Sequence, residues 1–196
     1  MDQLGPSLKS MHEDAGNMER HALRVVSEQL LDRLESMHNR HWLHLDVKPA
    51  NFLLPRSEDI HEPPTLHAID FGLSRKWWDA ETGRLVPSIP RRGAVGTVRF
   101  ASIANQQYEQ LGRRDDLEAL AYTVLTLHRG ELPWGRVQAP TKQERFRLML
   151  EHKRGIGEDE LCDGLPSLAS FLRAARGLRP DEKPDYEALR ALLRAL

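Results

Sequence analysis

Cysteine is almost absent from this chain of 196 residues. Cys162 is the only one, so the sequence excludes an internal disulfide framework and a metal site built from several thiolates. An excess of charge of one sign is lacking as well, because 28 Lys and Arg side chains nearly balance 29 Asp and Glu side chains. A protein whose main partner is the nucleic-acid backbone carries a basic excess. We therefore expect no nucleic-acid partner.

Long apolar runs are missing too. The longest apolar stretch, residues 119–127, is far shorter than the ~20 residues with which a helix spans a bilayer. The N-terminus has no basic segment followed by an apolar one, so it is not typical of a signal peptide. These absences predict a protein that has no membrane partner and is cytoplasmic or nuclear.

The residues that are present have the composition of a folded globular protein. Hydrophobic residues make up 40% of the chain and charged residues 29%, both close to the averages for soluble domains. At about 150 residues per domain, the length allows one compact unit. No linker divides the sequence, so we treat residues 1–196 as one domain.

Apolar periodicity predicts a mainly helical fold. Apolar side chains at steps of three and four predict an amphipathic helix over residues 18–39. A stretch that is apolar nearly all round, residues 115–128, predicts a helix buried at the centre of the core. Glycine and proline residues delimit further helices, which we expect at 141–154, 167–177 and 186–196.

Two short apolar segments predict a small β-hairpin. They are FLL at residues 52–54 and the segment 66–69, which runs directly into the tripeptide DFG at 70–72. Residues 77–96 show no periodicity, so we interpret them as a long loop of the kind that is usually functional. The predicted fold class is therefore mainly α with a small β-hairpin.

One constellation of polar residues indicates chemistry. The sequence HLDVKPAN at 44–51 is followed, nineteen residues after its asparagine, by the aspartate of DFG. Phosphoryl transfer requires a carboxylate that positions and deprotonates a hydroxyl, oxygen ligands for magnesium, and a cation near the transferring phosphate. Asp46 fits the base, Lys48 the cation, and Asn51 and Asp70 the magnesium ligands.

Each of these residues also has a purely structural interpretation. An Asp and a Lys two residues apart usually form a solvated surface pair, and an isolated DFG is usually a turn. Their occurrence together, in this order and beside predicted strands, favours phosphoryl transfer over the structural alternatives. We interpret His44 as a packed histidine that supports the loop backbone.

In the order of its motifs, the chain resembles the C-terminal lobe of a eukaryotic protein kinase. Within that superfamily it is similar to the casein kinase 1 family. The resemblance extends over essentially the whole chain and rests on the segments LGPSL (4–8), DVKPANFLL (46–54), IDFGLSRK (69–76), GTVRFASI (96–103), GRRDDLEAL (112–120), RGELPW (129–134) and KPDYEALRALL (183–193).

The resemblance implies ATP and Mg²⁺ as cofactors. Residues 1–4 match the hinge, so the backbone groups of Asp2 and Leu4 would meet the adenine edge. Leu53 would lie beneath the adenine ring, with Ser7 and Ser10 near the ribose.

The resemblance also implies how a protein substrate is bound. Thr97 matches the threonine that helps to hold the base and the lysine around the substrate hydroxyl, and Asp116 matches the aspartate that braces the catalytic loop. Arg75, Arg92 and Arg99 match members of a basic cluster that reads acidic or phosphorylated substrates. The alternative for these three is that they are solvated loop arginines.

The chain departs from the family pattern in two ways. Leu45 stands where the family has the arginine of its His-Arg-Asp motif, and Glu131 adds a negative charge where a small serine is usual. Both changes predict weaker anion binding. Met1 matches the position just before the hinge, so no segment matches the N-terminal lobe. We therefore expect a partial kinase domain that is inactive alone and exposes an apolar face to a partner.

Three functions compete on this evidence. The first is a truncated Ser/Thr protein kinase of the casein kinase 1 type, which the catalytic-loop residues favour. The second is a noncatalytic, pseudokinase-like interaction module, which Leu45, Glu131 and the lack of a segment matching the N-terminal lobe favour. Small-molecule phosphotransferases share the His-x-Asp-x-x-x-x-Asn loop, but they do not predict the segments GTVRF and GRRDDLE, so this class ranks last.

Overall fold

The computed structural model of the chain describes residues 4–56, 64–88 and 93–196. Within these ranges the fold is mainly helical, as predicted. The helices found there are α1 Leu8–Ala15, α2 Arg20–His38, α3 Ile103–Gln106, α4 Arg113–Arg129, α5 Lys142–Gly155, α6 Glu158–Leu161, α7 Pro166–Gly177 and α8 Tyr186–Arg194.

The five long helices expected from periodicity are all present. Their ends differ from the predicted ends by at most two residues, which is the usual scatter at helix termini. The four-residue helices α3 and α6 were not predicted, because a single turn is too short to show an apolar period.

Helix α4 forms the centre of the core, as its composition predicted. Every residue from 115 to 127 is buried. Helices α2 and α7 both pack against α4, and α8 packs against α2 and α7. Each fully buried leucine in these contacts stabilises the fold by about 1.5–3 kcal/mol relative to exposure. Although α4 is buried all round, no helix in the described ranges is long and apolar enough to cross a membrane.

The sheet content is larger than the single hairpin that the sequence predicted. The described residues form three two-stranded antiparallel sheets. The predicted hairpin is one of them. The pairs are β1 Trp42–Leu43 with β4 Arg75–Lys76, β2 Phe52–Leu53 with β3 His67–Ala68, and β5 Trp78–Asp79 with β6 Arg84–Leu85.

The interpretation of residues 77–96 as a loop was therefore wrong for β5 and β6. Strands of two residues are too short for alternation to appear in the sequence. Trp77, immediately before β5, is buried, and Trp78 and Leu85 pack against the same apolar cluster. Tertiary packing, which periodicity does not reveal, holds this hairpin in place.

A second apolar cluster packs around the position of the missing arginine. Leu45 is only 6% exposed and packs with Leu43, Trp77 and Leu111. The guanidinium carbon of Arg113 lies 4.0 Å from the centroid of the Trp77 ring. Position 45 is therefore an apolar packing site in this chain, and it joins the loop before Asp46 to the sheet β1–β4.

We expect the substitution Leu45→Arg to destabilise the fold. An arginine there would bury a charge among apolar side chains, so the free energy of unfolding should fall by ~3 kcal/mol. The control Leu45→Met conserves volume and should cost less than ~1.5 kcal/mol. Urea unfolding followed by circular dichroism measures both variants. An arginine variant as stable as the parent would contradict apolar packing at this position.

Candidate active site

The sheet β2–β3 brings the two halves of the sequence motif together. Asn51 directly precedes β2, and Asp70 follows β3 by two residues. The backbone amide of Ile69 donates to the carbonyl oxygen of Asn51 at 3.0 Å, which extends the antiparallel pairing. The predicted metal ligands therefore lie at the same end of one small sheet.

Asp46 is the centre of a hydrogen-bond network. Its Oδ2 accepts from Nζ of Lys48 at 2.6 Å and from Nδ2 of Asn51 at 3.1 Å, and its Oδ1 accepts from the backbone amide of Thr97 at 2.8 Å. Nζ of Lys48 also donates to Oγ1 of Thr97 at 3.0 Å. The structure thus brings together all four residues that the sequence predicted to be catalytic.

The network keeps Asp46 ionised. Burial by itself would raise the pKa of Asp46, but hydrogen bonds from Lys48 and Thr97 and the charge of the lysine hold the pKa below its ordinary value of 3.8. Such an acidic carboxylate is a weak base. It suits the orientation of a hydroxyl better than removal of the hydroxyl proton ahead of the reaction.

Asp116 anchors the backbone that carries Asp46. Its Oδ2 accepts from the backbone amide of His44 at 2.7 Å, and its Oδ1 accepts from that of Leu45 at 2.8 Å. Nε2 of His38 donates to the same carboxylate at 2.9 Å. Burial would raise the pKa of Asp116, but its hydrogen bond and charge interaction with His38 hold it below the ordinary value.

His38 is a supporting residue that sequence reasoning missed. Its Nδ1 lies 2.6 Å from the hydroxyl oxygen of Tyr186, so one imidazole joins α2, α4 and α8. A signal was present in the sequence, because His38 falls four residues after Leu34 on the apolar stripe of α2. A polar residue on such a stripe indicates a buried hydrogen-bond partner.

His44 connects the catalytic loop, residues 44–51, to the DFG segment, residues 70–72. Its Nδ1 accepts from the backbone amide of Asp46 at 3.3 Å, so Nε2 carries the proton and donates to the carbonyl oxygen of Ile69 at 3.2 Å. Its ring lies between those of Phe52 and Phe71, with centroids 5.9 and 5.6 Å away. These contacts fit the structural role expected for His44.

Gly96 permits the close approach of Thr97 to Asp46. Its φ is 78°, and a Cβ atom there would lie 2.2 Å from the carbonyl oxygen of Leu45 and 3.0 Å from Oδ1 of Asp46. Only glycine fits this position. Sequence reasoning missed this requirement, because it appears only when the two segments are in contact.

Three of the residues expected around the nucleotide, Ser7, Ser10 and Leu53, are in contact with one another through Ser7. Backbone hydrogen bonds link Gly5 and Pro6 to Leu54, and Ser7 forms an isolated bridge with Leu53. Leu4 directly precedes this pairing. The hydroxyl of Ser7 accepts from the backbone amide of Ser10 at 3.1 Å as the cap of α1. Asp2 lies outside the described residues.

The donor set at the end of β2–β3 suits magnesium. Nδ2 of Asn51 donates to the carbonyl oxygen and to Oδ2 of Asp46, so the amide oxygen of Asn51 is turned away from that carboxylate. Asp70 is exposed, with a left-handed φ of 62°. Among the described residues, no group of three or more His, Cys, Asp and Glu side chains could hold a metal. Magnesium needs only one or two protein oxygens besides water and phosphate oxygens.

A groove with a volume of about 1020 Å³ opens beside the catalytic loop. It is lined by residues from α1, the catalytic loop, the segment 97–100 and α5. Sequence reasoning missed the basic side chains that line it besides Lys48 and Arg99, which are Lys9, His12, Lys142 and Arg145. Only tertiary structure brings α1 and α5 to one groove.

Of the two described arginines that were predicted to bind anions, Arg99 lies at this groove and Arg75 does not. Arg99 lines the groove, and its guanidinium approaches the carbonyl oxygen of Gly135 at 3.5 Å. Arg75 lies in β4, paired with Leu43 of β1, and is not a lining residue. Arg92 lies outside the described residues.

Comparison with known families agrees with this geometry. The family model for the protein kinase domain matches residues 3–170, which is most of the chain. The chain therefore belongs to the protein kinase domain family. Members of this family generally use ATP and Mg²⁺ and act on protein substrates.

We expect Asp116→Asn to destabilise the fold in a pH-dependent way. The amide places an NH₂ group against backbone or histidine donors, so the free energy of unfolding at pH 7 should fall by ~3 kcal/mol. The pKa of Asp116 is lower in the folded chain than its ordinary value of 3.8, so its contribution is complete above that value. It is lost as the pH falls through the folded pKa.

The gap between the parent and Asp116→Asn should therefore narrow below pH 3.8. Urea unfolding at pH 7, 5 and 3 measures the gap. Asp163→Asn, at an exposed position, is the matched control and should leave stability nearly unchanged at pH 7. A gap for Asp116→Asn that is constant down to pH 3 would contradict the ionised anchor.

Proposed function

We propose that the chain carries the catalytic loop, metal ligands and substrate groove of a Ser/Thr protein kinase of the casein kinase 1 type. Its reaction would transfer the γ-phosphoryl group of ATP to a protein hydroxyl. The observation that carries this proposal is the network of Asp46, Lys48, Asn51 and Thr97, with Asp70 at the same end of the sheet β2–β3.

In this proposal each side chain of the network has a task. The ionised carboxylate of Asp46 accepts a hydrogen bond from the substrate hydroxyl and holds its oxygen in line with the phosphorus. Nζ of Lys48, which already binds Asp46 and Thr97, places a positive charge where negative charge develops on the phosphoryl oxygens. As the hydroxyl oxygen bonds to the γ-phosphorus, the bond from that phosphorus to the β–γ bridging oxygen breaks, ADP leaves, and the hydroxyl proton passes to Asp46.

Asn51 and Asp70 are the residues that would hold magnesium. The ion, when bound, neutralises charge on the phosphate oxygens of ATP. The hydrogen bonds from Nδ2 of Asn51 to Asp46 fix the orientation of the amide before the ion binds. Because the side chain of Asn51 is already ordered, magnesium binding does not carry the entropic cost of ordering it.

The charges of the groove support acidic or phosphorylated proteins as substrates. Lys9, Lys142 and Arg145 are exposed on α1 and α5 and line the groove. Glu13 also lines it and is paired with Lys9 at 3.4 Å, so the excess of positive charge comes mainly from α5. Glu131, which we expected to oppose anions, is paired with Arg136, so its charge is partly offset. Guanidinium and ammonium groups around one groove favour carboxylate or phosphate groups on the bound segment.

One observation favours a second function, a noncatalytic interaction module. Leu45 fills an apolar cluster where the resembled family has an arginine, so this chain departs from the family's catalytic loop next to Asp46. A module of this kind would keep the fold and its groove without transferring phosphate. Nucleotide binding and phosphoryl transfer are therefore tested separately.

We expect Mg²⁺ and ATP together to stabilise the chain against heat more than ATP with EDTA does. A ligand at 100 times its Kd stabilises by ~2.7 kcal/mol. Asp70→Asn should abolish the magnesium-dependent part of the shift in Tm, whereas the surface control Asp163→Asn should retain it. Differential scanning fluorimetry measures all three chains. A parent chain that Mg-ATP does not stabilise would contradict the metal-nucleotide site.

We expect Asp46→Asn to lower kcat at least ~100-fold, because the neutral amide cannot take up the proton of the substrate hydroxyl. The stabilisation by Mg-ATP should persist in this variant. Transfer of labelled γ-phosphate to casein and to an acidic serine peptide gives the rate. The sequence predicts a chain that is inactive alone, and the parent chain in this assay tests that prediction as well. Transfer by the parent would contradict it, whereas Mg-ATP binding without transfer would agree with it and would favour the interaction module over the kinase proposal.

A further inference from the structure

A second hydrogen-bond network holds the segment 98–101, of which residues 98–100 form one wall of the groove. Nζ of Lys153 on α5 donates to the carbonyl oxygens of Val98 at 2.8 Å and Ala101 at 2.5 Å. Nε1 of Trp134 donates to the carbonyl oxygen of Arg99 at 2.7 Å. Side chains at least 35 residues away in sequence thus bind three of the four carbonyl groups of this segment.

The site of Lys153 supplies two hydrogen-bond acceptors to a buried amino group. The residue is 0% exposed, and an unpaired ammonium there would be costly. The two carbonyl oxygens compensate part of this cost. Two aromatic rings compensate a further part of the cost, because Nζ lies 5.3 Å from the centroids of both Tyr122 and Trp134 and a cation is attracted to the face of such a ring. Both hydrogen bonds of Nζ go to backbone carbonyl oxygens of the segment 98–101.

Charged groups of α4 and α7 surround this site. Nε of Arg176 donates to Glu118 at 3.1 Å, and the hydroxyl of Tyr122 donates to the same carboxylate at 2.5 Å. Burial lowers the pKa of Lys153 to about 7, Glu118 opposes this shift, and Arg176 adds to it. Both the ammonium and the neutral amine have enough N–H groups for two carbonyl oxygens, so the contacts do not depend on one charge state.

The groove wall is continuous with the catalytic network. The segment follows Thr97 directly, and the backbone amides of Phe100 and Ala101 donate to the carbonyl oxygen of Thr97 at 2.8 and 3.1 Å. Thr97 in turn binds Asp46 and Lys48. The segment that Lys153 contacts is therefore joined to Thr97 by one hydrogen-bonded turn of backbone.

We propose that Lys153 is a positioning residue for substrate binding. Through the carbonyl oxygens of Val98 and Ala101 it fixes the groove wall and the orientation of Thr97, and so sets how a protein segment docks beside Asp46. The part that concerns the substrate rests on the proposed kinase function, whereas the hold on the wall does not. The effect of Lys153 concerns the binding of the protein substrate and not of the nucleotide, because the contacts of Lys153 do not include Asn51 or Asp70.

The test compares Lys153→Met, which keeps the length of the side chain but removes its donors, with Trp134→Phe, which removes only the indole donor. Leu193→Ala is the matched control, because Leu193 is fully buried on α8 and its loss destabilises the core away from the groove. Lys153→Arg, which restores a cation with several donors, is the rescue variant.

Native-state hydrogen exchange measures the hold on the wall without any need for activity. We expect Lys153→Met to speed exchange of the amides of residues 98–103 by ~10-fold relative to the rest of the chain, and Trp134→Phe to have a smaller effect. Lys153→Arg should restore part of the protection. The proposal is overturned if exchange at 98–103 rises no more in Lys153→Met than in Leu193→Ala.

Steady-state kinetics measures the consequence for the substrate. We expect Lys153→Met to raise KM for an acidic serine peptide by ~10-fold, with KM for ATP and the Mg-ATP shift in Tm unchanged. An equal rise in both KM values, or an unchanged KM for the peptide, would overturn the positioning role. If the parent chain transfers no phosphate, the kinase proposal fails, and hydrogen exchange still decides whether Lys153 holds the wall.

Discussion

The buried carboxylate of Asp116 is the contact on which the geometry of the site depends. It stands on the central helix α4 and binds the backbone amides of His44 and Leu45, so the rigidity of the core is passed to the loop that presents Asp46. Leu45 has a left-handed φ of 64°, a conformation that costs free energy unless its surroundings impose it. The two amide bonds to Asp116 and the apolar packing of Leu45 impose it here.

Two hydrogen-bond networks meet at Thr97. One runs through Asp46 and Lys48 and fixes the groups that would face a hydroxyl and a phosphate. The other runs through Lys153 and Trp134 and fixes the wall along which a protein segment would lie. In both, a buried polar side chain makes several hydrogen bonds, which give it one defined position. Placement of this kind lowers the barrier to phosphoryl transfer.

Features that neighbouring residues in the sequence determine were predictable, whereas features that depend on contacts between distant residues were not. The apolar runs and turn residues around α4 and around β2–β3 predicted those elements, and the order of polar residues predicted the network of Asp46. The two-residue strands β5 and β6 exist because Trp77 is buried in a tertiary cluster. The polar helix α5 gave no sign that Lys153 is buried, because its partners come from residues far away in sequence. Arg75 and Arg99 matched one basic cluster in sequence, yet only Arg99 lines the groove.

The central claim is that the ends of β2 and β3 form one metal-nucleotide site beside Asp46. Paramagnetic broadening of backbone amide signals by Mn²⁺ and ATP, with Mn²⁺ as a substitute for Mg²⁺, tests it most directly. The account predicts selective broadening of the amides of residues 46–52 and 69–72, while those of α8 stay sharp. Broadening that is absent, or that is equal at α8 and at the β2–β3 end, would contradict the account.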